Sequence, residues 1–216
     1  MLTCTFTRYV FSQQHDVDSL EQLLNSAKND TNQVKILNQI TYKYLHAPTS
    51  DYEKGLSFAE RAKNLSEKLV YEKGLVEAYQ NLGTIYGYFG IYDKAFKNFL
   101  NAVEISEKTK DSIMILNSYQ NLSWAYSSLT GDYEKALQID YKIAKIILRS
   151  VDSNKIVNSY WGIGSTYTDI CKDAIKKGDS ITANSTYGEA ITYDSMALYI
   201  SEKLKERQNI AFFSIA

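Results

Sequence analysis

Residues 79–102 read YQNLGTIYGYFGIYDKAFKNFLNA, and this stretch decides the fold. Its first half spaces four residues at steps of three and four, as one face of an α-helix requires: Tyr79, Leu82, Gly83 and Tyr86. Gly90 then stands where a helix ends in a left-handed cap, and the same is expected of Gly131 and Gly178. The second half carries the stripe of another helix: Ala95, Phe99 and Ala102. The stretch therefore predicts two antiparallel helices joined by a tight turn.

The same pattern recurs along the chain with a period of about 40 residues. Residues 79–82 (YQNL) recur at 119–122, and residues 92–95 (YDKA) recur as YEKA at 133–136. The segment SEK occurs at two further points that are 40 residues apart, 66–68 and 106–108. A fixed period of this length is the signature of repeat architectures, in which each unit buries its apolar face against its neighbours. The sequence therefore predicts an all-α fold, an α-solenoid of antiparallel helical hairpins.

The pattern resembles the tetratricopeptide repeat. That family's signature is an aromatic residue, Leu-Gly and Tyr in one helix, then Ala and Phe in the next, which residues 79–99 meet. The resemblance covers roughly residues 34–209 and implies a right-handed superhelix of four hairpins: 34–74, 75–114, 115–155 and 156–209. The period of 40–42 residues exceeds the 34 of the family, which implies longer helices, as in its long-repeat variants.

Two of the hairpins depart from the signature. The third has Ser123 in place of the glycine and Asp140 in place of the phenylalanine. In the fourth, each helix gains seven residues relative to the second, which is close to two helical turns. Such paired insertions keep both helices in phase, so we expect a helical hairpin that is longer by about 10 Å.

The ends of the chain are less regular. Residues 16–33 are predicted to form an N-terminal cap helix that begins at Asp18-Ser19. Residues 1–15 are interpreted as either a disordered tail or the remnant of a signal peptide. The second reading would place the protein outside the cytoplasm, as an exported or periplasmic protein, and the first leaves it cytoplasmic. Residues 210–216 are predicted to begin an incomplete fifth repeat.

Composition and spacing argue against several classes of function. The balance of 24 Lys and Arg against 25 Asp and Glu, without a long run of like charge, predicts no nucleic-acid partner. The chain contains no stretch of 18 apolar residues, so it is not predicted to span a membrane. His15 and His46 lack partners at catalytic or ligand spacing, and Cys4 and Cys171 form no CxxC pair. The sequence therefore predicts no catalytic residue, no metal site and no cofactor, and it leaves the oligomeric state open.

A binding surface is predicted on the first helix of each hairpin, because these helices line the concave side of a repeat stack. Residues between the packing positions of these helices are expected to face that groove. They are Asn38, Tyr42, Glu77, Gln80, Thr84, Tyr88, Asn117, Gln120, Trp124, Asn158, Trp161 and Ser165. Amides can pair with the backbone of an extended peptide, and aromatic residues are typical interface anchors. In the alternative, Trp124 and Trp161 only pack against an adjacent helix.

The sequence thus predicts a scaffold that binds a peptide or protein segment in a concave groove and performs no chemistry. Tetratricopeptide domains that clamp a C-terminal carboxylate carry lysines on this surface, but the matching positions here hold Asn38, Gln80, Gln120 and Trp161. The alternative prediction is a regulatory or sensory domain. Its basis is the opening of the array at residues 18–24 (DSLEQLL), which resembles the N-terminal regions of bacterial sensor histidine kinases and helix-turn-helix regulators.

Overall fold

A computed structural model describes residues 17–28, 30–46, 51–147 and 153–213, with side chains described as far as Lys205. These residues form helices joined by short turns, and none of them lies in a strand. The all-α prediction is therefore confirmed. The chain divides into two compact units, Met1–Asn121 and Leu122–Ala216. The predicted tail at residues 1–15 lies outside the described residues.

Nine helices are described in chain order. The first unit holds α1 (17–26), α2 (Thr31–His46), α3 (Tyr52–Leu69), α4 (Glu72–Tyr88), α5 (Tyr92–Thr109) and the start of α6 (Ser112–Trp124). The second unit holds the end of α6, a π-helical segment (Ala125–Thr130), α7 (Tyr133–Ile147), α8 (Ser153–Lys177) and α9 (Ser180–Phe213). None of these helices is both long enough and apolar enough to cross a membrane.

The turns between helices follow from local sequence. Gly90, Gly131 and Gly178 have φ of +72°, +66° and +74°, so the predicted left-handed caps are confirmed. Aspartates cap the N-terminal ends of three helices, each by accepting from the backbone N–H three residues later. Asp132 accepts from Lys135 at 3.2 Å, Asp51 accepts from Lys54, and Asp179 accepts from Thr182. These caps satisfy backbone donors that no helical carbonyl can reach.

The first unit packs its helices as successive hairpins. Helix α2 lies against α3 and α4, and α4 lies against α5. A core of Leu24, Leu37, Ile40, Ala62 and Ala78 joins α1 to α2, α3 and α4. A second core of Val76, Ala102 and Met114 joins α4, α5 and α6. Helix α1 therefore covers the first hairpin.

The second unit contains the long hairpin. Helices α8 and α9 have 25 and 34 residues, against 17 and 18 for α4 and α5, so both insertions are helical as predicted. Small residues let the pair approach closely: Cys171, Ala174 and Ala183 form a buried cluster. Helix α9 runs unbroken to Phe213, so residues 210–213 continue that helix and do not open a fifth repeat as predicted. Residues 214–216 lie outside the described range.

Candidate functional site

The candidate surface in the first unit is built by α2, α4 and the first ten residues of α6. We define the first-helix surface by its seven predicted residues that retain solvent contact: Tyr42, Glu77, Gln80, Thr84, Tyr88, Asn117 and Gln120. Their side chains leave the helices between the positions that pack in the core, such as Leu82 and Ile85. Because the pattern repeats, the same helical positions on α2, α4 and α6 supply the residues of this surface.

Asn38 differs from its prediction because it is buried. Its amide N–H donates to the carbonyl of Gly74 at 3.1 Å and to a carboxylate oxygen of Glu77 at 3.4 Å. Asn81, which the sequence did not single out, donates in turn to the Asn38 carbonyl oxygen at 3.4 Å. The side chain lies in the seam between α2 and α4, where a polar group must be hydrogen-bonded. Asn38 therefore joins the two helices instead of facing solvent.

Gln80 makes the equivalent connection one repeat later. Its amide N–H donates to the hydroxyl of Ser118 at 3.1 Å, and that hydroxyl donates to the carbonyl of Ala102 at 3.4 Å. Gln80 is half-buried, whereas Ser118 is fully buried. Because both amides bond to the next first helix, they hold α2, α4 and α6 in register.

Aromatic side chains lie at the ends of these helices, near the turns. Tyr42 is 56% exposed and stacks on His46 with ring centroids 4.0 Å apart. Tyr88 is 51% exposed and stacks on Tyr52 at 4.7 Å, and Phe89 meets Tyr52 edge-on at 6.2 Å. Sequence reasoning missed Tyr52 and Phe89. The signal for Tyr52 was its place at the start of residues 52–55 (YEKG), which resemble residues 92–95 (YDKA) and make Tyr52 the equivalent of Tyr92.

The polar part of the surface is neutral apart from Glu77. Burial raises the pKa of this carboxyl, while Lys73, the Asn38 amide and Lys35 partly oppose the rise. The hydroxyl of Thr84 donates to the carbonyl of Gln80 at 3.0 Å, which leaves its oxygen able to accept. The surface therefore offers donors and acceptors with little fixed charge.

In the second unit, the predicted residues of α8 lie on one exposed face. Asn158, Trp161 and Ser165 are spaced by three and four residues and are all exposed, with Trp161 at 50%. Trp124 ends α6 just before the π-helical segment and is half-buried. The alternative in which the tryptophans only pack therefore fits Trp124 better than Trp161.

The described residues include no group of three or more His, Cys, Asp or Glu side chains that could hold a metal ion. The ring of His46 hydrogen-bonds through Nδ1 to the carbonyl of Tyr42 at 2.9 Å, within its own helix. The buried thiol of Cys171 donates to the carbonyl of Ala183 at 3.4 Å. Both side chains thus have structural contacts.

Residues 75–146 match the family model of the tetratricopeptide repeat. Residues 75–146 carry tetratricopeptide repeats. This identification agrees with the helical hairpins described above, and it covers the repeats centred on α4 to α7. The predicted resemblance to sensor kinases and helix-turn-helix regulators stays a prediction. No curated protein matches the sequence of this chain.

Solved structures of other repeat proteins are similar in fold. A protein of Podosopora anserina assigned as a kinesin light chain, with nearly identical TPR-like repeats, aligns at TM-score 0.66 and 17% identity over 94% of this chain and 93% of that one. The apo form of RapI aligns at 0.61 and 18% identity over 98% of this chain and 75% of that one. A Rap protein complexed with competence and sporulation factor aligns at 0.63 and 17% identity over 92% and 54%. Identities of this size show likeness of fold.

Proposed function

We propose that this tetratricopeptide protein is a non-enzymatic interaction scaffold that binds a peptide or protein segment on its first-helix surface. The observation that carries the proposal is the pair of amide contacts, Asn38 to Gly74 and Gln80 to Ser118, which fix three helices beneath exposed polar and aromatic side chains. A surface that is already ordered loses little conformational entropy when it binds.

The chemistry of the surface favours an extended peptide. Asn117 and Gln120 are exposed amides one turn apart on α6, and each can donate to and accept from a peptide backbone. Tyr42 and Tyr88 add partly exposed rings that can cover apolar side chains. One protein of similar fold was solved with competence and sporulation factor bound, which supports this use of the fold by analogy.

The test is a selection of 12-residue peptides from a random library on the wild-type chain. The selected peptide is then measured on the double variant Asn117→Ala, Gln120→Ala. Losing two or more hydrogen bonds should weaken binding at least tenfold, about 1.4 kcal/mol. The control is Asn64→Ala with Lys97→Ala, which removes exposed side chains of the second helices α3 and α5. Equal affinities of the two double variants, or a selection that yields no binder, would contradict the proposal.

For the second unit, the proposal extends to Trp124, Asn158, Trp161 and Ser165. The pair Trp124→Ala, Trp161→Ala should abolish binding of a partner that uses this unit while leaving the helical circular-dichroism signal nearly intact. Unchanged affinity, or global unfolding, would remove these residues from the proposal.

The alternative function, a regulatory or sensory region of a bacterial signalling protein, is supported by the opening at residues 18–24. The coding sequence beyond Ala216 tests it. A membrane helix followed by a kinase module, or a helix-turn-helix module, would favour this alternative, and a stop codon at that point would remove it.

A further inference from the structure

A cavity of about 330 Å³ lies between α2 and α3 in the first unit, away from the first-helix surface. Its described lining residues are Gln33 and Leu37 of α2 and Arg61, Asn64, Leu65 and Lys68 of α3. Gln33 and Tyr42 are nine residues apart, which is about two and a half helical turns, so they point to opposite sides of α2. The cavity is therefore separate from the surface to which Tyr42 belongs.

The cavity has an apolar floor and a rim that carries positive charge. Leu37 is 2% exposed and Leu65 is half-buried, whereas Arg61 and Lys68 are both exposed. The two cations are seven residues apart, so they lie on one side of α3 with Leu65 between them. None of the described lining residues is acidic. The cavity therefore offers two cationic groups beside aliphatic surface.

The glutamates that adjoin these cations in the sequence face the other flank of α3, toward α4. Glu67 accepts from the hydroxyl of Tyr79 at 3.5 Å. Burial, and then the nearby carboxylate of Glu60, raises the pKa of Tyr86 on α4. Helix α3 thus directs its acidic side chains to α4 and its basic side chains to the cavity.

Lys68 has no acidic partner, unlike its equivalent in the next hairpin. That equivalent is Lys108, which forms a salt bridge of 2.6 Å with Glu104. The position of Glu104 is held in α3 by Asn64, which carries no charge. Asp30, before α2, accepts from two backbone N–H groups of that helix at 2.9 and 3.1 Å. Among the described residues Lys68 forms no salt bridge, so its charge is available to a ligand.

Arg61 is held in place by an aromatic ring. Its guanidinium lies over the ring of Phe58, 5.3 Å from the centroid, and Phe58 stacks on Tyr44 at 5.8 Å. A stacked guanidinium keeps its N–H donors in its own plane, where they can bind a carboxylate through two parallel hydrogen bonds. Because the stacking already restricts the side chain, less conformational freedom is lost on binding.

The spacing of the two cations favours an extended peptide. Seven residues span about 10 Å along an α-helix, and four residues of an extended chain span about 13 Å. The long side chains of Arg61 and Lys68 can bridge this difference. Alternate residues of an extended chain face the same side, so two carboxylates at positions i and i+4 and an aliphatic side chain at i+2 would all face α3. The aliphatic side chain would then lie over Leu37 and Leu65.

We propose that the cavity between α2 and α3 is a second binding site, which takes a short acidic segment of a partner protein. Arg61 and Lys68 each bind one carboxylate of the segment, and an aliphatic residue between the two carboxylates packs on Leu37 and Leu65. The occupant is assigned by charge complementarity. Residues 1–15, which precede α1, are a poorer occupant because they contain neither Asp nor Glu.

The probe is the blocked peptide acetyl-Ser-Glu-Ser-Leu-Ser-Glu-Ser-amide with an uncharged fluorescent label, titrated with the full chain and followed by anisotropy. We expect saturable binding that the double variant Arg61→Gln, Lys68→Gln weakens at least about fivefold. The matched control is Lys97→Gln with Lys108→Gln, which removes the same charge from exposed positions of α5 and should bind as the wild type does. Circular dichroism verifies that these variants fold.

Position 64 gives a sharper comparison at a single residue. Asn64→Glu copies Glu104 of α5, so the new carboxylate should pair with Lys68 and weaken binding of the peptide several-fold. Asn64→Ala leaves Lys68 unpaired and should bind within about twofold of the wild type. Equal affinities of these two variants would mean that the charge of Lys68 is not used.

The acidic residues of the probe are tested with a peptide in which glutamine replaces both glutamates, and we expect it not to bind. No saturable binding of the acidic peptide, equal binding of the glutamine peptide, or equal losses in the two double variants would overturn the proposal. Self-association of the chain that Arg61→Gln, Lys68→Gln removes would also overturn it, in favour of a second copy as occupant. The variant Asn117→Ala, Gln120→Ala should bind the acidic peptide normally, which separates this test from that of the proposed function.

Discussion

The crossing of α4 and α5 in the first unit is apolar, whereas the equivalent crossing of α6 and α7 in the second unit is polar. In the first, a Cβ added to Gly83 would lie 2.7 Å from the ring of Phe99, so the absence of a side chain makes room for the aromatic ring. In the second, the hydroxyl of Ser123 donates to Asp140 at 2.6 Å. Thr166 of α8 donates to the other carboxylate oxygen, also at 2.6 Å.

The difference shows that one helical geometry accepts two kinds of complementarity. Gly83 and Phe99 fill space by shape, and Phe99 has no exposed surface. Ser123, Asp140 and Thr166 fill the equivalent space with a hydrogen-bonded group that links three helices, and each is about 5% exposed. Burial raises the pKa of Asp140, while its two hydroxyl donors partly oppose the rise. The substitutions at the two positions therefore make sense only as a pair.

The largest expected effect is that of Phe99→Ala. Removing a fully buried ring leaves a cavity beside Gly83, so the free energy of unfolding should fall by about 3–5 kcal/mol. Urea denaturation followed by far-ultraviolet circular dichroism measures the loss. Leu100→Ala is the control, since that side chain is half exposed, and it should change stability by less than about 1 kcal/mol. Similar losses in both variants would show that the crossing is not tightly packed.

The next effect is that of Gly83→Ala. The new methyl group would press on the ring of Phe99, and overpacking costs about 1–3 kcal/mol, against a gain in helix propensity of about 1 kcal/mol. We expect net destabilisation, measured by the same urea titration. Adding Phe99→Leu should recover part of the loss, because the smaller side chain leaves room for the methyl group. A Gly83→Ala variant as stable as the wild type would show that Gly83 and Phe99 are not in tight contact.

A glycine without a neighbour should behave in the opposite way. Gly162 lies in α8, and a Cβ added there would have no atom within 4 Å. Gly162→Ala should therefore stabilise the second unit by about 0.5–1 kcal/mol, because alanine loses less backbone entropy on forming a helix. Both tryptophans, Trp124 and Trp161, belong to this unit, so the unfolding midpoint in tryptophan fluorescence reports the gain. A destabilised variant would contradict the prediction, because it would mean that the added methyl group clashes with a neighbouring atom.

The smallest effect, at neutral pH, is that of Asp140→Asn, which should change stability by less than about 1 kcal/mol. An asparagine can keep both contacts, because the hydroxyls of Ser123 and Thr166 can turn toward the carbonyls of Ala136 and Gly162, both at 3.3 Å. The variant differs in its pH dependence. The pKa of Asp140 is higher in the folded than in the unfolded state, so its contribution is full below the unfolded pKa, roughly 3.9, and is lost as pH rises through the folded pKa.

Relative to the wild type, Asp140→Asn should therefore gain stability as pH rises from about 4 to neutral. Urea midpoints in tryptophan fluorescence across this pH range measure the gain. Glu189→Gln, at an exposed carboxyl of α9, serves as the control and should follow the wild-type curve. If the difference in stability between Asp140→Asn and the wild type does not vary with pH, the pKa of Asp140 is the same in the folded and unfolded states, which would contradict the prediction.

More of the fold than of the candidate site could be predicted from the sequence. The spacing of Tyr79, Leu82 and Tyr86 and the glycine at Gly90 were enough to predict a helical hairpin, because helix periodicity and left-handed caps are local properties. The same spacing assigned Asn38 to the solvent side, and this was wrong. Whether an amide at that position faces water depends on how closely the neighbouring helix approaches, here near Gly74, and that distance is not encoded within a single helix.

The sequence by itself determined that the chain folds as helical hairpins repeating at about 40 residues, and that α8 and α9 each carry an insertion of about two turns. Periodicity, caps and insertion length act within one element and can be read along the chain. Only the tertiary structure decided that Ser123 and Asp140 replace a glycine and a phenylalanine as a hydrogen-bonded pair, with Thr166 as third member. It likewise decided that Asn38 is buried against α4, because burial belongs to the neighbouring helix as much as to the residue itself.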